Sequence, residues 1–163
     1  MSGATPEEIA RGLFLRDDTY YGCAETALVA LQKVYGLDNA EDSSSAMVLN
    51  GGVAYSGGVC GAISGAAMAV GRLAEQRVED HKEAKRTARR IIQQVMAEFD
   101  EEFGSHDCSG LIDYDISAQE GHDMFIESGV WRDSCMKQIE FSVDRLAKLS
   151  DRATWDETVS SLK

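Results

Sequence analysis

Four cysteines are the residues of this sequence best suited to chemistry, and they are Cys23, Cys60, Cys108 and Cys135. They lie far apart, and the chain contains no CxxC or CxxCH motif. The spacing excludes a thioredoxin-type dithiol and c-type haem attachment, and it disfavours a zinc finger, whose paired ligands lie close in sequence. The chain begins MSGATPEEIARG, which is acidic and polar rather than a secretory signal. We therefore expect a cytoplasmic protein without structural disulfides, in which the thiols are core residues, metal or cluster ligands, or a redox relay.

The sequence predicts that each cysteine lies at the start of a helix. Cys23 and Cys60 open predicted helices, Cys108 follows a potential cap, and Cys135 lies in the first turn of its helix. A helix N-terminus carries a partial positive charge and free N–H groups, which favour the thiolate form. We therefore expect lowered thiol pKa values. We also expect the four cysteines to be neighbours in one partly buried pocket.

Glycines surround the second cysteine, in the segment GGVCGAISG. Gly57 and Gly58 precede Cys60, while Gly61 and Gly65 lie four residues apart on the helix that follows. Residues without side chains let a bulky group or another backbone come close. We predict that Gly57, Gly58, Gly61 and Gly65 leave room for a bound cofactor and that Gly57 and Gly58 also direct N–H groups inward. Tight helix–helix packing is the alternative explanation.

The rest of the chain predicts an all-α, compact single-domain helical bundle of about six to seven helices with short connections. Thr5 and Glu8 are predicted to form a capping box at the start of the first helix, and Pro6 suits its first turn, within an N-terminal segment 1–19. A C-terminal extension covers 150–163 and is either a short helix or a tail. The other helices are predicted at about 23–35, 46–50, 60–76, 80–103, 117–127 and 132–149.

Charge limits the classes of partner. The 163 residues carry a net charge of −12, which disfavours non-specific nucleic-acid binding and docking on an anionic membrane. The segment 43–71 has no charged residue, but its many glycines and serines argue against membrane insertion. One basic cluster, 81–90, is predicted to be a solvent-exposed helix face, with a docking patch for an acidic partner as the alternative.

The ordered set of cysteines, with CGAISG at 60–65, resembles the C_GCAxxG_C_C family of redox-active proteins. The segments GCAETALVALQKVYGLD, GGVAYSGGVCGAISGA and FGSHDCSGLIDYDIS also fit, and the likeness covers about 20–149. Val53, Ala54 and Tyr55 stand where more glycine is expected. The resemblance implies a helical domain with a four-cysteine redox centre. It extends to the iron–sulfur part of split-Soret cytochromes, although this chain has no haem-attachment motif and hence no haem part.

The preferred interpretation is a redox protein whose four cysteines ligate an iron–sulfur cluster and which carries electrons rather than transforming a small molecule. A metal-free thiol–disulfide oxidoreductase or redox switch is the alternative. A further alternative is a non-redox helical module whose cysteines pack in the core or bind zinc. We expect an unidentified redox protein as partner, and a homodimer is compatible with the sequence.

Two groups of side chains near the cysteines are further candidates. His106 and His122 could replace a ligand or move protons, although a surface or capping role is the more ordinary one. Tyr20, Tyr21 and Trp131 flank the cysteine segments and could form the walls of the pocket.

Overall fold

Local capping signals determine where the first helices begin and end in the computed structural model, which describes residues 3–162. Helix α1 is Pro6–Phe14, and the predicted capping box is present. The Glu8 N–H donates to Thr5 Oγ1 at 3.2 Å, and the Thr5 N–H donates to the Glu8 carboxylate at 2.7 Å. Helix α2 is Cys23–Tyr35 and ends at Gly36, whose left-handed φ of 65° forms the C-cap.

Eight α-helices form the described part of the chain, and the prediction of an all-α fold is confirmed. The predicted number of six to seven is too low because α5 forms a separate four-residue helix and the C-terminal extension is helical. The predicted helix at 46–50 is wrong: a 3₁₀ turn covers Ser44–Ala46. Gly51 and Gly52 follow with positive φ values of 67° and 78°, which end any helix there. The remaining helices are α3 Gly61–Arg77, α4 His81–Phe103, α5 Cys108–Leu111, α6 Gln119–Ser128, α7 Ser134–Ala147 and α8 Arg152–Ser161.

Helices α2, α3 and α7 run parallel to one another, as contacts at their C-terminal ends show. The Tyr35 hydroxyl at the end of α2 donates to the carbonyl of Leu146 in α7 at 2.8 Å. The Arg77 guanidinium at the end of α3 donates to the carbonyls of Leu149 and Ser150, just beyond α7, at 2.7 Å each. The N-terminal ends of the three helices therefore share the opposite end of the bundle. Helix α4 packs on α3 after a short connection and returns the chain to that end.

The core lies between these helices, and its members are fully buried apolar side chains. Each such side chain contributes on the order of 1.5–3 kcal/mol when it leaves water. Helix α8 covers the far end of the bundle through Trp155, over whose ring the Arg77 guanidinium lies at 5.4 Å. Helices α2, α3 and α7 supply, among others, Leu28, Leu31, Val70, Leu73, Ile139 and Leu146. None of the helices within 3–162 has both the length and the apolar character needed to cross a membrane.

Candidate cysteine centre

All four cysteines lie at helix starts, as the sequence predicts. Cys23 is the first residue of α2, Cys60 is the N-cap of α3, Cys108 is the first residue of α5, and Cys135 is the second residue of α7. All four thiols are free. Because α2, α3 and α7 are parallel, the positive ends of three helix dipoles point toward the same region.

The four thiols are mutual neighbours. The negative charge of Cys23 raises the pKa of each of the other three cysteines. Cys108 and Cys135 raise the pKa of Cys60, and Cys108 raises the pKa of Cys135. Each of the six pairs is therefore close enough for one sulfur to affect the ionisation of the other. The fold brings together residues that are more than one hundred positions apart in sequence.

The expectation of lowered thiol pKa values is wrong. Burial raises the pKa of all four thiols above the ordinary value of 9.0, to about 12 for Cys108. The thiols lie so deep that removal of water outweighs the helix dipoles, because a thiolate loses more hydration than a neutral thiol does. At Cys23 the nearby backbone N–H groups of Gly51, Ala24 and Gly61 favour the thiolate, which offsets part of the rise in its pKa.

A cavity of about 640 Å³ opens beside the thiols and reaches the surface of the bundle. Cys23, Cys108 and Cys135 line it, whereas Cys60 is 4% exposed and lies behind them in the core. The thiol of Cys60 donates to Gln138 Oε1 at 3.7 Å. Aromatic side chains form much of the wall, including the predicted Tyr20, Tyr21 and Trp131.

Backbone hydrogen bonds join the segments that carry Cys60 and Cys108. The Cys60 N–H donates to the His106 carbonyl at 2.8 Å, and the Cys108 N–H donates to the Gly58 carbonyl at 2.7 Å. The Ser109 N–H donates to the Gly57 carbonyl at 3.0 Å. The two segments therefore pair in antiparallel fashion, which fixes the separation of their cysteines.

The predicted inward direction of the Gly57 and Gly58 N–H groups is wrong. The Gly57 N–H donates to the Gly51 carbonyl at 3.0 Å, and the Gly58 N–H donates to Ser56 Oγ at 3.4 Å. Gly57 has a positive φ of 81°, which suits glycine at this turn. These two residues hold the cysteine segments together through their carbonyls.

Gly61 and Gly65 let α3 approach the start of α2. A Cβ on Gly65 would lie 2.0 Å from the Ala24 carbonyl oxygen, so this glycine serves helix packing, the alternative considered above. A Cβ on Gly61 would lie 2.4 Å from Cys23 Sγ and 2.8 Å from the Ala24 nitrogen. Gly61 therefore permits both the helix contact and the position of the Cys23 sulfur. Whether it also leaves room for a bound group stays a prediction.

Residues 21–149 match the model of a protein family described as "Putative redox-active protein (C_GCAxxG_C_C)". The chain belongs to this family. The match includes all four cysteines and the CGAISG segment, and it confirms the resemblance stated above. No match was found among curated proteins, and none among solved structures.

The departure from the glycine-rich pattern of the C_GCAxxG_C_C family has a structural counterpart. Ala54 and Tyr55 adopt left-handed φ values of 52° and 59°, in a region that glycine enters at no steric cost. Tyr55 lines the cavity, so the strained backbone places an aromatic ring there that a glycine could not supply.

Asn50 and Glu25 hold the start of α2, and sequence reasoning missed both. The Ala24 N–H donates to Asn50 Oδ1 at 2.9 Å, while Asn50 Nδ2 donates to Glu25 Oε1 at 2.9 Å. The Gly22 N–H donates to the same Glu25 oxygen at 3.1 Å. Together these bonds satisfy free N–H groups of the turn that carries Cys23. The Gly22–Glu25 spacing of a capping box was a signal in the sequence, whereas Asn50 belongs to a distant loop.

The two candidate histidines differ in position. His122 lines the cavity, with its ring centroid 4.8 Å from that of Tyr55. His106 Nδ1 is 2.9 Å from the Asp100 carboxylate, and this residue supports the site through its carbonyl group instead. Within 3–162, no group of three or more cysteine, histidine, aspartate and glutamate side chains is arranged to hold a metal ion. The ligand roles of the four cysteines in this C_GCAxxG_C_C protein therefore remain predictions.

Proposed function

We propose that this protein is an electron carrier whose four cysteines hold an iron–sulfur cluster. The observation that carries the proposal is the convergence of four free thiols from separate helix starts beside one cavity. Membership of a redox-active family supports redox chemistry in general. The identity of the centre as an iron–sulfur cluster is the more specific part of the proposal.

The residues present fit such a cluster in three respects. Four thiols are the donor set that iron–sulfur clusters most often use. The cavity beside Cys23, Cys108 and Cys135 has about 640 Å³ of free space. The ends of α2, α3 and α7 that meet here favour negative charge, and a four-thiolate centre would be anionic.

A cluster bound here would supply one-electron transfer without the making or breaking of bonds in a substrate. The chain would contribute three properties. Cys23, Cys60, Cys108 and Cys135 would be the ligands, and the raised pKa values mean that binding releases their protons. The N–H groups of Gly51, Ala24 and Gly61 lie near the Cys23 sulfur and would stabilise its thiolate. The burial of Cys60 against Gln138 keeps water away from one side of the centre.

A metal-free thiol–disulfide oxidoreductase is the second candidate, and the environment of Cys23 is the observation that favours it. Its sulfur alone has three neighbouring N–H groups besides its own, and its charge raises the pKa of the other three thiols. Cys23 would therefore lose its proton first and act as the nucleophile. Raised pKa values leave little thiolate at neutral pH without a metal, so this candidate ranks second.

Anaerobic purification tests the first candidate. We expect broad visible absorption, together with iron and acid-labile sulfide in stoichiometric amounts. Serine in place of any one cysteine should weaken or abolish the signal, because all four would serve one centre. Ser109→Ala is the matched control: this exposed residue adjoins Cys108 and contributes only a backbone bond here, so iron content should not change.

Colourless, iron-free protein after attempted reconstitution under reducing conditions would rule out the cluster. The second candidate would then be supported if the protein titrates in two-electron steps. In that case each serine variant would disable only its own pair of thiols and leave the other pair working.

A further inference from the structure

The mouth of the cysteine cavity exposes large apolar side chains. Tyr20, Met47, Tyr55 and Ile126 line the cavity, and their exposed fractions are 63%, 57%, 43% and 41%. Soluble proteins seldom gather such side chains in one place unless another molecule covers them. Three of the four thiols line the same cavity, so a molecule seated on its mouth would lie on the side of the bundle where the cysteines are accessible.

The charges of the lining are all of one sign. Glu25, Asp123 and Glu127 line the cavity, and among its described lining residues there is no lysine or arginine. Asp123 and Glu127 are exposed, and the whole chain carries a net charge of −12. The acidic side chains therefore present a negative rim around an apolar centre.

Two arginines lie close to the aromatic walls but outside the lining. The Arg16 guanidinium lies 4.9 Å from the Tyr20 ring centroid and forms an ion pair with Asp18 at 2.6 Å. The Arg132 guanidinium lies 4.5 Å from the ring centroid of Trp131. Asp18 balances the Arg16 charge, and the single positive charge of Arg132 is outnumbered by the three carboxylates of the lining, so the rim stays negative on balance.

We propose that this mouth is the docking surface for a basic redox protein that exchanges one electron with the cysteine centre. The partner would place an apolar patch on Tyr20, Met47 and Ile126 and would direct lysine or arginine side chains at Asp123 and Glu127. Such charge complementarity raises association rates and selects partners. A second copy of this chain fits less well, because it would bring the same acidic residues face to face. The inference rests on the proposed function and names the class of its partner.

The electron transfer is balanced without any further reactant. A reduced cluster held by the four cysteines would give up one electron, and a one-electron acceptor in the partner, such as a ferric haem, would take it and become ferrous. No bond forms or breaks. Because three of the thiols line the cavity, a partner docked at its mouth would hold its own acceptor on the same side of the bundle as the cysteine centre.

A ferric basic c-type cytochrome serves as the probe, and an acidic c-type cytochrome serves as its control. Binding to the full chain is measured by calorimetry at about 0.01 M salt, where charges act over roughly 30 Å. We expect the doubly charge-reversed variant Asp123→Lys/Glu127→Lys to bind the basic probe at least about ten-fold more weakly. Met47→Ser should also weaken binding, and about 0.15 M salt should reduce the affinity of the unchanged chain.

The matched control is Glu79→Lys/Glu157→Lys, which makes the same change of net charge at exposed residues near the opposite end of the bundle. It should bind the probe almost as well as the unchanged chain. Equal losses in both double variants would show that only net charge matters, and this would overturn the docking surface. Equal affinity for the acidic cytochrome would overturn it as well.

Separate measurements of probe binding and of iron content distinguish a failure of this inference from a failure of the proposed function. Calorimetry does not require iron, so a chain that stays iron-free after attempted reconstitution but still binds the basic probe through the mouth supports the surface and refutes the cluster. An iron-loaded chain that shows no selective binding refutes only the surface. Sedimentation velocity completes the test: a dimer that Met47→Ser dissociates would identify a second copy as the occupant and overturn the proposal.

Discussion

Substitution of Gly65 by alanine should separate the start of α2 from α3. The new Cβ would lie 2.0 Å from the Ala24 carbonyl oxygen, about 1.5 Å short of the roughly 3.5 Å at which non-bonded heavy atoms pack well. The contact is with backbone, which cannot rotate away, so the cost should approach the upper end of about 1–3 kcal/mol for overpacking. Alanine gains about 1 kcal/mol over glycine in a helix. The net loss in the free energy of unfolding should be about 2 kcal/mol.

Gly71→Ala is the matched control, because Gly71 lies in the same helix and a Cβ there would meet nothing within 4 Å. This variant should be more stable than the unchanged chain by up to about 1 kcal/mol. Helix propensity cancels in the difference between the two variants, so about 3 kcal/mol of packing cost remains. Urea unfolding of the reduced, metal-free chain, followed by circular dichroism, measures it. Equal stabilities of the two variants would refute the packing role of Gly65.

Two further predictions concern the thiols and the start of α2. Burial raises the pKa of Cys108 from 9.0 to about 12, so this thiol loses its proton at a lower pH in the unfolded chain than in the folded chain. The metal-free protein should therefore lose stability as the pH rises above about 9. Cys108→Ser should reduce this slope in urea unfolding at pH 7 to 10, and an unchanged slope would contradict the prediction. Asn50→Ala removes the acceptor of the Ala24 N–H and should cost about 1–3 kcal/mol. Asn50 lines the cavity together with Cys23, so its truncation should also speed alkylation of that thiol, measured by mass spectrometry; an unaltered rate would show that Asn50 does not shield it.

Local sequence signals predicted much of the fold. Thr5 and Glu8 marked the first helix, Gly36 marked the end of α2, and Asp80 and Gly104 frame the longest helix. Capping depends on residues within one turn, so a single sequence contains it. For the same reason the positions of the four cysteines at helix starts could be read directly from the chain.

The properties of the site that depend on packing could not be predicted. The pKa values of the thiols follow from burial, which is set by helices far away in sequence, and burial reversed the direction expected from the helix dipoles. Asn50 reaches α2 across a loop, and no local pattern marks it. The sequence predicted that the N–H groups of Gly57 and Gly58 point inward, but it is the carbonyls of these residues that matter, because they accept hydrogen bonds from a segment about fifty residues away.

The spread of the cysteines has a consequence for biosynthesis. Cys135 lies in α7, which packs on α1, α2 and α3 and supplies the last of the four thiols. A ribosome that has released only the first hundred residues exposes a chain with two thiols and an uncovered apolar face on α2 and α3. The set of four thiols is therefore complete only after α7 has left the ribosome, so a factor that loaded a cluster there would have to recognise the folded bundle rather than the nascent polypeptide.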